Sequence, residues 1–183
     1  MRNATHELVG LTCALGASRT LGLDVLDTAA MAAGAIWGSW LPDADRLGTR
    51  VHRRGRLERR SLAAGALGMV LRLPLVTFAL VARHRGISHS LAACVLLGAL
   101  ATALGLWLPA PVAAGAGGLA VGYGAHVLVD ACTPAGVALW EPFSRRRTWL
   151  VPPRARIRTG SKREGLLAAA TAVGALALAL ALA

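Results

Sequence analysis

The sequence predicts an all-α fold, a polytopic membrane helical bundle of about five spans with a re-entrant or interfacial hairpin at 61–82. Of its 183 residues, 55% are hydrophobic. They form long blocks of the length that crosses a bilayer, and prolines or charged residues separate these blocks. We predict a single integral membrane domain over 1–183, with a motif-bearing part at 1–143, a basic loop at 144–164 and a C-terminal span at 165–183.

The first two predicted spans are short and lead to a pair of carboxylates. Span 1 runs from about 6 to 23. We expect it to be retained as a span rather than cleaved as a signal peptide, because polar groups interrupt its apolar run at both ends. The second span runs from about 29 to 41 and ends at Pro42, and Asp43 and Asp45 follow it.

The next apolar stretch, 61–82, carries Arg72 and Pro74 near its centre. An arginine at the bilayer centre costs at least about 2.5–3.5 kcal/mol, and proline interrupts helical hydrogen bonding. We therefore predict that this stretch folds back instead of crossing. The two arginine-rich loops, 46–60 and 145–163, then lie on one face, as the excess of basic residues in cytoplasmic loops requires.

Three further spans complete the predicted bundle. Spans at about 89–108 and 112–130 are joined by the tight turn Pro109-Ala-Pro111, and a last span at 165–183 is almost entirely alanine and leucine. If 61–82 folds back, the start of span 1, the end of the second span, the start of the 89–108 span and the end of the 112–130 span share one membrane face.

The net charge of +11 does not by itself indicate a nucleic-acid-binding protein. Nineteen of the twenty basic residues are arginine, and fifteen of the twenty lie in the two loops. This distribution fits membrane topology and contact with anionic lipid. We expect membrane lipid as a partner and no specific nucleic acid. The three cysteines form no CxxC pair, so the sequence supports neither a disulfide framework nor a zinc ribbon.

Histidine and aspartate residues gather at the ends of the predicted spans. His126 and Asp130 are four residues apart on an apolar helix and so share one face. Ionisable residues within membrane segments usually mark functional sites, and imidazole and carboxylate are common metal ligands. The residues assigned to the shared face are His6, Asp43, Asp45, His84, His89, His126 and Asp130. Each alone has an ordinary structural explanation, but together they predict a metal or acid–base site.

Four motifs occur in a fixed order along the chain, and together they resemble a known family. They are Thr5-His6-Glu-Leu-Val-Gly10, Leu41-Pro-Asp43-Ala-Asp45, His84-Arg-Gly86-Ile-Ser-His89-Ser90 and His126-x3-Asp130-x2-Thr133-Pro-x-Gly136. The region 1–143 resembles the YdjM-like family of bacterial inner-membrane metal-dependent hydrolases, also described as LexA-binding. That family looks distantly similar to the zinc phospholipase C and single-strand nuclease superfamily, whose helical members cleave phosphodiesters with clustered zinc ions.

The resemblance implies a membrane-embedded metal-dependent hydrolase acting on a phosphodiester or lipid-linked phosphate. The superfamily's second histidine-plus-glutamate helix has no counterpart here, so we expect one or two divalent ions, zinc first, with manganese or magnesium as alternatives. The expected roles are listed by residue: metal ligands His6, Asp43, Asp45, His126 and Asp130; catalytic residues His84, His89 and Asp45; phosphate-binding residues Arg83 and Arg85.

We expect a multi-pass protein of the bacterial inner membrane with its site on the cytoplasmic side. Two other interpretations stay open. The first is a non-catalytic, metal-stabilised scaffold or regulator that binds a cytosolic protein through its arginine loops. The second is a small ion transporter, which the placement of the motifs at one surface disfavours. Neither a Gly-x-Ser-x-Gly elbow nor a phosphate-binding P-loop is present, so the sequence does not support a serine hydrolase or a nucleoside triphosphatase.

Overall fold

The computed structural model describes residues 1–43 and 86–182, and its regular secondary structure is helical apart from one isolated β-bridge between Val137 and Thr148, in the long loop between the last two helices. Short 3-10 turns follow α2, precede α3 and lie in the loop before α5. The described α-helices are α1 (Asn3–Leu21), α2 (Val25–Gly38), α3 (Leu91–Gly105), α4 (Ala110–Ala131) and α5 (Lys162–Leu182). They correspond in order to the five clean spans of the sequence analysis, with boundaries that differ by at most four residues. The all-α prediction is confirmed.

Local chemistry explains where the helices begin and end. Gly22 ends α1 in the left-handed conformation, with φ of 63°, which costs glycine no steric clash. The Asp24 carboxylate accepts a hydrogen bond from Asp27 N and so caps the start of α2. The Ser90 hydroxyl accepts one from Ala93 N in the same way and begins α3. The Ser90 cap fixes the start of α3 directly after His89, which lies just outside the helix.

The central helix of the bundle is α4, which packs against α1, α2 and α3, while α5 packs on α1. Contacts near the ends give the directions. Met31 contacts Gly118 and Ala35 contacts Gly122, so α2 and α4 run parallel. His6 stacks on His126, so α1 runs antiparallel to α4. As a result, the start of α1 and the ends of α2 and α4 lie at the same end of the bundle.

The contact between α2 and α4 is unusually close because both helices place glycines in it. A Cβ atom on Gly34 or Gly38 of α2 would overlap the backbone of α4, and a Cβ on Gly118 or Gly122 of α4 would overlap the backbone of α2. Each pair is separated by four residues and so lies on one helix face. Small residues at this spacing allow close helix approach in membrane proteins, where dispersion contacts drive association.

The number of membrane spans is lower than predicted. Within 1–43 and 86–182, only α4 and α5 are long and apolar enough to cross a bilayer. The 14 residues of α2 and 15 of α3 extend only about 21–23 Å, less than the roughly 30 Å of bilayer hydrocarbon. Polar side chains interrupt α1 along its length. The predicted hairpin at 61–82 lies outside the described residues.

The glycine contact predicts a sharp difference between two neighbouring positions. Gly122→Ala should destabilise the bundle by about 3 kcal/mol or more, because the added methyl group meets backbone that cannot move aside. Gly124→Ala should be neutral or stabilising by up to about 1 kcal/mol, because no atom lies within 4 Å of a Cβ at that position. Thermal unfolding of both variants in detergent, followed by circular dichroism, tests this. Equal stability of the two variants would contradict the packing.

Candidate metal centre

Five histidine and aspartate side chains from four helix ends meet at one end of the bundle. His6 lies in the first turn of α1, Asp43 in the 3-10 turn after α2, and His89 in the 3-10 turn before α3. His126 and Asp130 lie in the last turns of α4. Residues that are up to 124 positions apart in the chain therefore form one cluster.

The protonation of the His126 ring follows from its hydrogen bond. Its Nδ1 lies 2.6 Å from the carbonyl oxygen of Ser39. A carbonyl oxygen can only accept, so Nδ1 carries the hydrogen and Nε2 of the neutral ring keeps its lone pair. That Nε2 is buried and has no hydrogen-bond partner in the part of the chain that the structure describes. A histidine held through one nitrogen, with the other presented to a polar cluster, is the usual arrangement of a metal ligand.

Two carboxylates flank the imidazoles of His89 and His126. Asp130 Oδ2 lies 3.6 Å from His89 Nε2 and 3.8 Å from His126 Nε2. Asp43 Oδ1 lies 3.7 Å and 4.0 Å from the same two nitrogens. These separations are too long for hydrogen bonds, but ligand atoms about 2.1 Å from a tetrahedral zinc ion lie about 3.4 Å from one another. Each of these nitrogen–oxygen distances is thus close to the spacing of two ligands on a small divalent ion.

A second group of ligand atoms adjoins the first. The other carboxylate oxygen of Asp130, Oδ1, lies 3.5 Å from His6 Nε2 and 3.4 Å from the amino nitrogen of Met1. The rings of His6 and His126 stack at a centroid distance of 3.8 Å. His6, His126 and Asp130 therefore form one possible ligand set, and Asp43, His89 and His126 another. The chemistry of this donor set fits one or two divalent ions.

Burial differs across the cluster. His6, His89, His126 and Asp130 are each at most 2% exposed, whereas the Asp43 side chain keeps 22% of its surface. A buried carboxylate needs a compensating cation, because removing its charge from water costs several kcal/mol. The Met1 ammonium group lies 3.4 Å from Asp130 Oδ1, and a metal ion in the cluster would supply further positive charge. The partly exposed Asp43 marks the side on which the cluster reaches the surface.

Hydrogen bonds around the cluster hold its members in place. The Tyr123 hydroxyl donates to the carbonyl oxygen of Ser88, and the Ser88 hydroxyl lies 3.1 Å from Nδ1 of the adjacent His89. Thr133 Oγ1 donates to the carbonyl oxygen of Asp130 at 2.7 Å. Such contacts orient metal-binding side chains before an ion arrives. Tyr123, Ser88 and the Ser39 carbonyl were not singled out by the sequence reasoning.

Glu164 is a buried residue beside the cluster that the sequence reasoning missed. It is 2% exposed and lies in the first turn of α5, which the motif analysis left outside the site. Its carboxylate accepts hydrogen bonds from Arg2 N at 2.6 Å and from the Thr5 hydroxyl at 3.3 Å. Glu164 therefore ties α5 to the turn of α1 that carries His6. The sequence feature that could have identified Glu164 is a single acidic residue at the start of an apolar span.

Several predicted site residues lie outside the described part of the chain. They are Asp45, His84, Arg83 and Arg85, and their roles stay predictions. Cys132 directly follows α4, but burial raises the pKa of its thiol. Its sulfur belongs to neither of the two possible ligand sets among the described residues.

A family model described as YdjM inner membrane protein matches residues 1–183. The match confirms the resemblance that the four motifs indicated. No curated protein and no solved structure matches the chain.

The geometry predicts that the metal content of the protein depends on particular histidine and aspartate side chains. Asp130→Asn and His126→Ala should each lower the bound divalent metal of the purified chain at least about tenfold, because each removes a ligand atom. Asp27→Asn is the matched control, since Asp27 lies in the first turn of α2, at the end opposite Asp43. Elemental analysis after removal of loosely bound metal provides the measurement. Equal metal content in Asp130→Asn and Asp27→Asn would exclude this centre.

Proposed function

The chain belongs to the YdjM family of inner membrane proteins, and from this premise we propose that it is a membrane-embedded metal-dependent hydrolase acting on a phosphodiester or a lipid-linked phosphate. One observation carries the proposal. Three imidazoles and two carboxylates from four helix ends converge, with nitrogen-to-oxygen distances of 3.5–4.0 Å. Such a concentration of ligand atoms in an apolar bundle is costly to maintain without a function.

Four residues are proposed to hold the ion or ions: His6, Asp43, His126 and Asp130. His89 completes the ligand set, or acts as a general acid toward the leaving group. A divalent ion at such a site lowers the pKa of a bound water and polarises a phosphoryl oxygen. Zinc suits a set of imidazoles and carboxylates, and manganese or magnesium are alternatives.

The surrounding residues contribute by orientation. The Ser39 carbonyl keeps the His126 tautomer in which Nε2 faces the cluster. The Tyr123–Ser88 hydrogen bond holds the turn that carries His89. Rigid placement of this kind lowers the cost of reaching the transition state, because the groups need no rearrangement when the reaction occurs. Asp45, His84, Arg83 and Arg85 are proposed to add a bridging carboxylate, a proton donor and phosphate contacts.

The position of the cluster in the fold supports the substrate class. It lies at one end of the bundle, where α4 ends and α5 begins, next to a loop rich in arginine. In a membrane, such a helix end lies near the level of lipid headgroups, where phosphodiesters are abundant. The distant relation to zinc-dependent phospholipases and nucleases, which the four motifs led us to expect, would imply the same bond type. A scaffold that binds metal without catalysis is the alternative outcome of the experiments below.

The first experiment is an assay for hydrolysis. Purified protein with zinc or manganese should cleave bis(4-nitrophenyl) phosphate or a phospholipid, and Asp130→Asn should lower kcat/KM about 100-fold or more because a metal ligand is lost. Asp27→Asn should retain the activity. Activity unchanged by both His126→Ala and Asp130→Asn would eliminate the catalytic proposal. Full metal content without cleavage of any phosphate ester would favour the scaffold.

The two roles considered for His89 are separable. If His89 is a general acid, His89→Ala should keep its metal and lower kcat by about 10²–10⁴-fold. If His89 is a ligand, the same variant should lose metal in parallel with activity. Metal content and kcat measured on the same preparation decide between the two.

The second experiment concerns topology. Ile87 at the site end of α3 and Trp107 beyond its other end are both exposed, at 42% and 87%. In a variant whose three native cysteines are replaced by alanine, Ile87→Cys should react with an impermeant maleimide only after the inner membrane is permeabilised. Labelling of Ile87→Cys in intact spheroplasts would place the cluster on the periplasmic side and contradict the proposed orientation. Trp107→Cys reports on the opposite end of α3.

A further inference from the structure

The loop before α5 forms a basic cavity that the proposed hydrolase does not use. The cavity has a volume of about 400 Å³, within the roughly 300–1,000 Å³ typical of small-molecule sites. Five cationic side chains line it, and no carboxylate is among its described lining residues. The cations are Arg154, Arg156, Arg158, Lys162 and Arg163.

This loop has a defined conformation. The guanidinium of Arg156 lies 4.4 Å from the ring centroid of Trp149, in a cation–π contact. Arg163 donates to the carbonyl oxygen of Arg154 at 2.7 Å, which links two residues that line the cavity. Arginines that serve only to set topology need no fixed arrangement. The defined positions of these cations therefore indicate a role beyond membrane topology.

The cavity is attached to the end of the bundle that carries the His/Asp cluster. Ile157 N donates to the carbonyl oxygen of Cys132 at 3.0 Å, and Leu150 N donates to that of Ala131 at 3.1 Å. Both acceptors directly follow Asp130 in the chain. On the other side, Glu164 binds Thr5, next to His6. The cavity thus lies beside the end of α4 and the start of α5, the two helices that are long and apolar enough to cross a bilayer.

We propose that this cavity is a binding site for a phosphate-bearing anion, of the kind that an anionic phospholipid headgroup presents. Five like charges around one space repel one another, and an anion among them relieves that repulsion. Guanidinium groups bind phosphate oxygens through paired hydrogen bonds. Glu164 does not line the cavity, because its carboxylate is engaged by Arg2 N, Thr5 and Gly160 N. The site is independent of the metal and of hydrolysis.

The chain offers a matched pair of double variants. R158Q/K162Q removes two cavity cations whose side chains make no hydrogen bond within the described residues. R145Q/R146Q removes two cations from the same loop that do not line the cavity. Both variants change the net charge by the same amount. Full-length protein purified in detergent is titrated with phosphatidylglycerol, with phosphatidylcholine as the zwitterionic comparison, and bound lipid is counted by native mass spectrometry.

We expect R158Q/K162Q to bind phosphatidylglycerol about tenfold more weakly or worse, and R145Q/R146Q to stay within about twofold of the parent chain. Equal weakening in both variants, or none in R158Q/K162Q, would overturn the proposal. If the double variant does not purify, R158Q alone, expected to lose about fivefold, provides the same comparison. Competition with inorganic phosphate identifies the class of ligand. Displacement of the lipid by millimolar phosphate supports a site that also takes soluble phosphates. Retention of the lipid supports a site for lipid headgroups.

Discussion

The close contact between α2 and α4 positions everything else at the site end of the bundle. Gly34 and Gly38 on one helix and Gly118 and Gly122 on the other leave no side chain between the two backbones. Ser39 follows Gly38 directly, so its carbonyl oxygen reaches across to the His126 ring. A wider spacing would remove this hydrogen bond and release the ring. In a bilayer, where apolar side chains gain little by leaving lipid, packing of this kind supplies much of the association energy.

The same rigidity makes a buried polar cluster tolerable. Asp130 is 1% exposed and lies within 4 Å of the Met1 ammonium group and of three imidazoles, so its buried charge depends on neighbours that helix packing holds in place. Replacing one member leaves a charge or lone pair without its partner in a low-dielectric interior, which costs more than the partner itself contributed. Helix packing and site chemistry are therefore coupled, because the glycine contact fixes the distances on which charge compensation depends.

The sequence predicted the helices and their convergence better than it predicted the membrane spans. His6, Asp43, His89, His126 and Asp130 were all placed at one face because the stretch 61–82 was predicted to fold back, and the structure brings these five side chains together. The spans were overcounted because α2 has only 14 residues, α3 is shorter than its predicted span, and polar side chains interrupt α1. The Ser39 carbonyl could not have been predicted, since a backbone acceptor has no residue signature. The four-residue spacing of glycines in α2 and α4, in contrast, is visible in the sequence and indicates close helix packing.

The hydrogen bond from His126 to the Ser39 carbonyl has an evolutionary implication. Every amino acid carries a backbone carbonyl, so substitution at position 39 cannot delete this acceptor as long as α2 keeps its length and register. The ring orientation is thus encoded in helix geometry and not in a side chain that a point mutation can remove. Insertions and deletions between α1 and the end of α2 would be far more damaging than replacements, and descendants of this chain would conserve spacing there more strictly than residue identity.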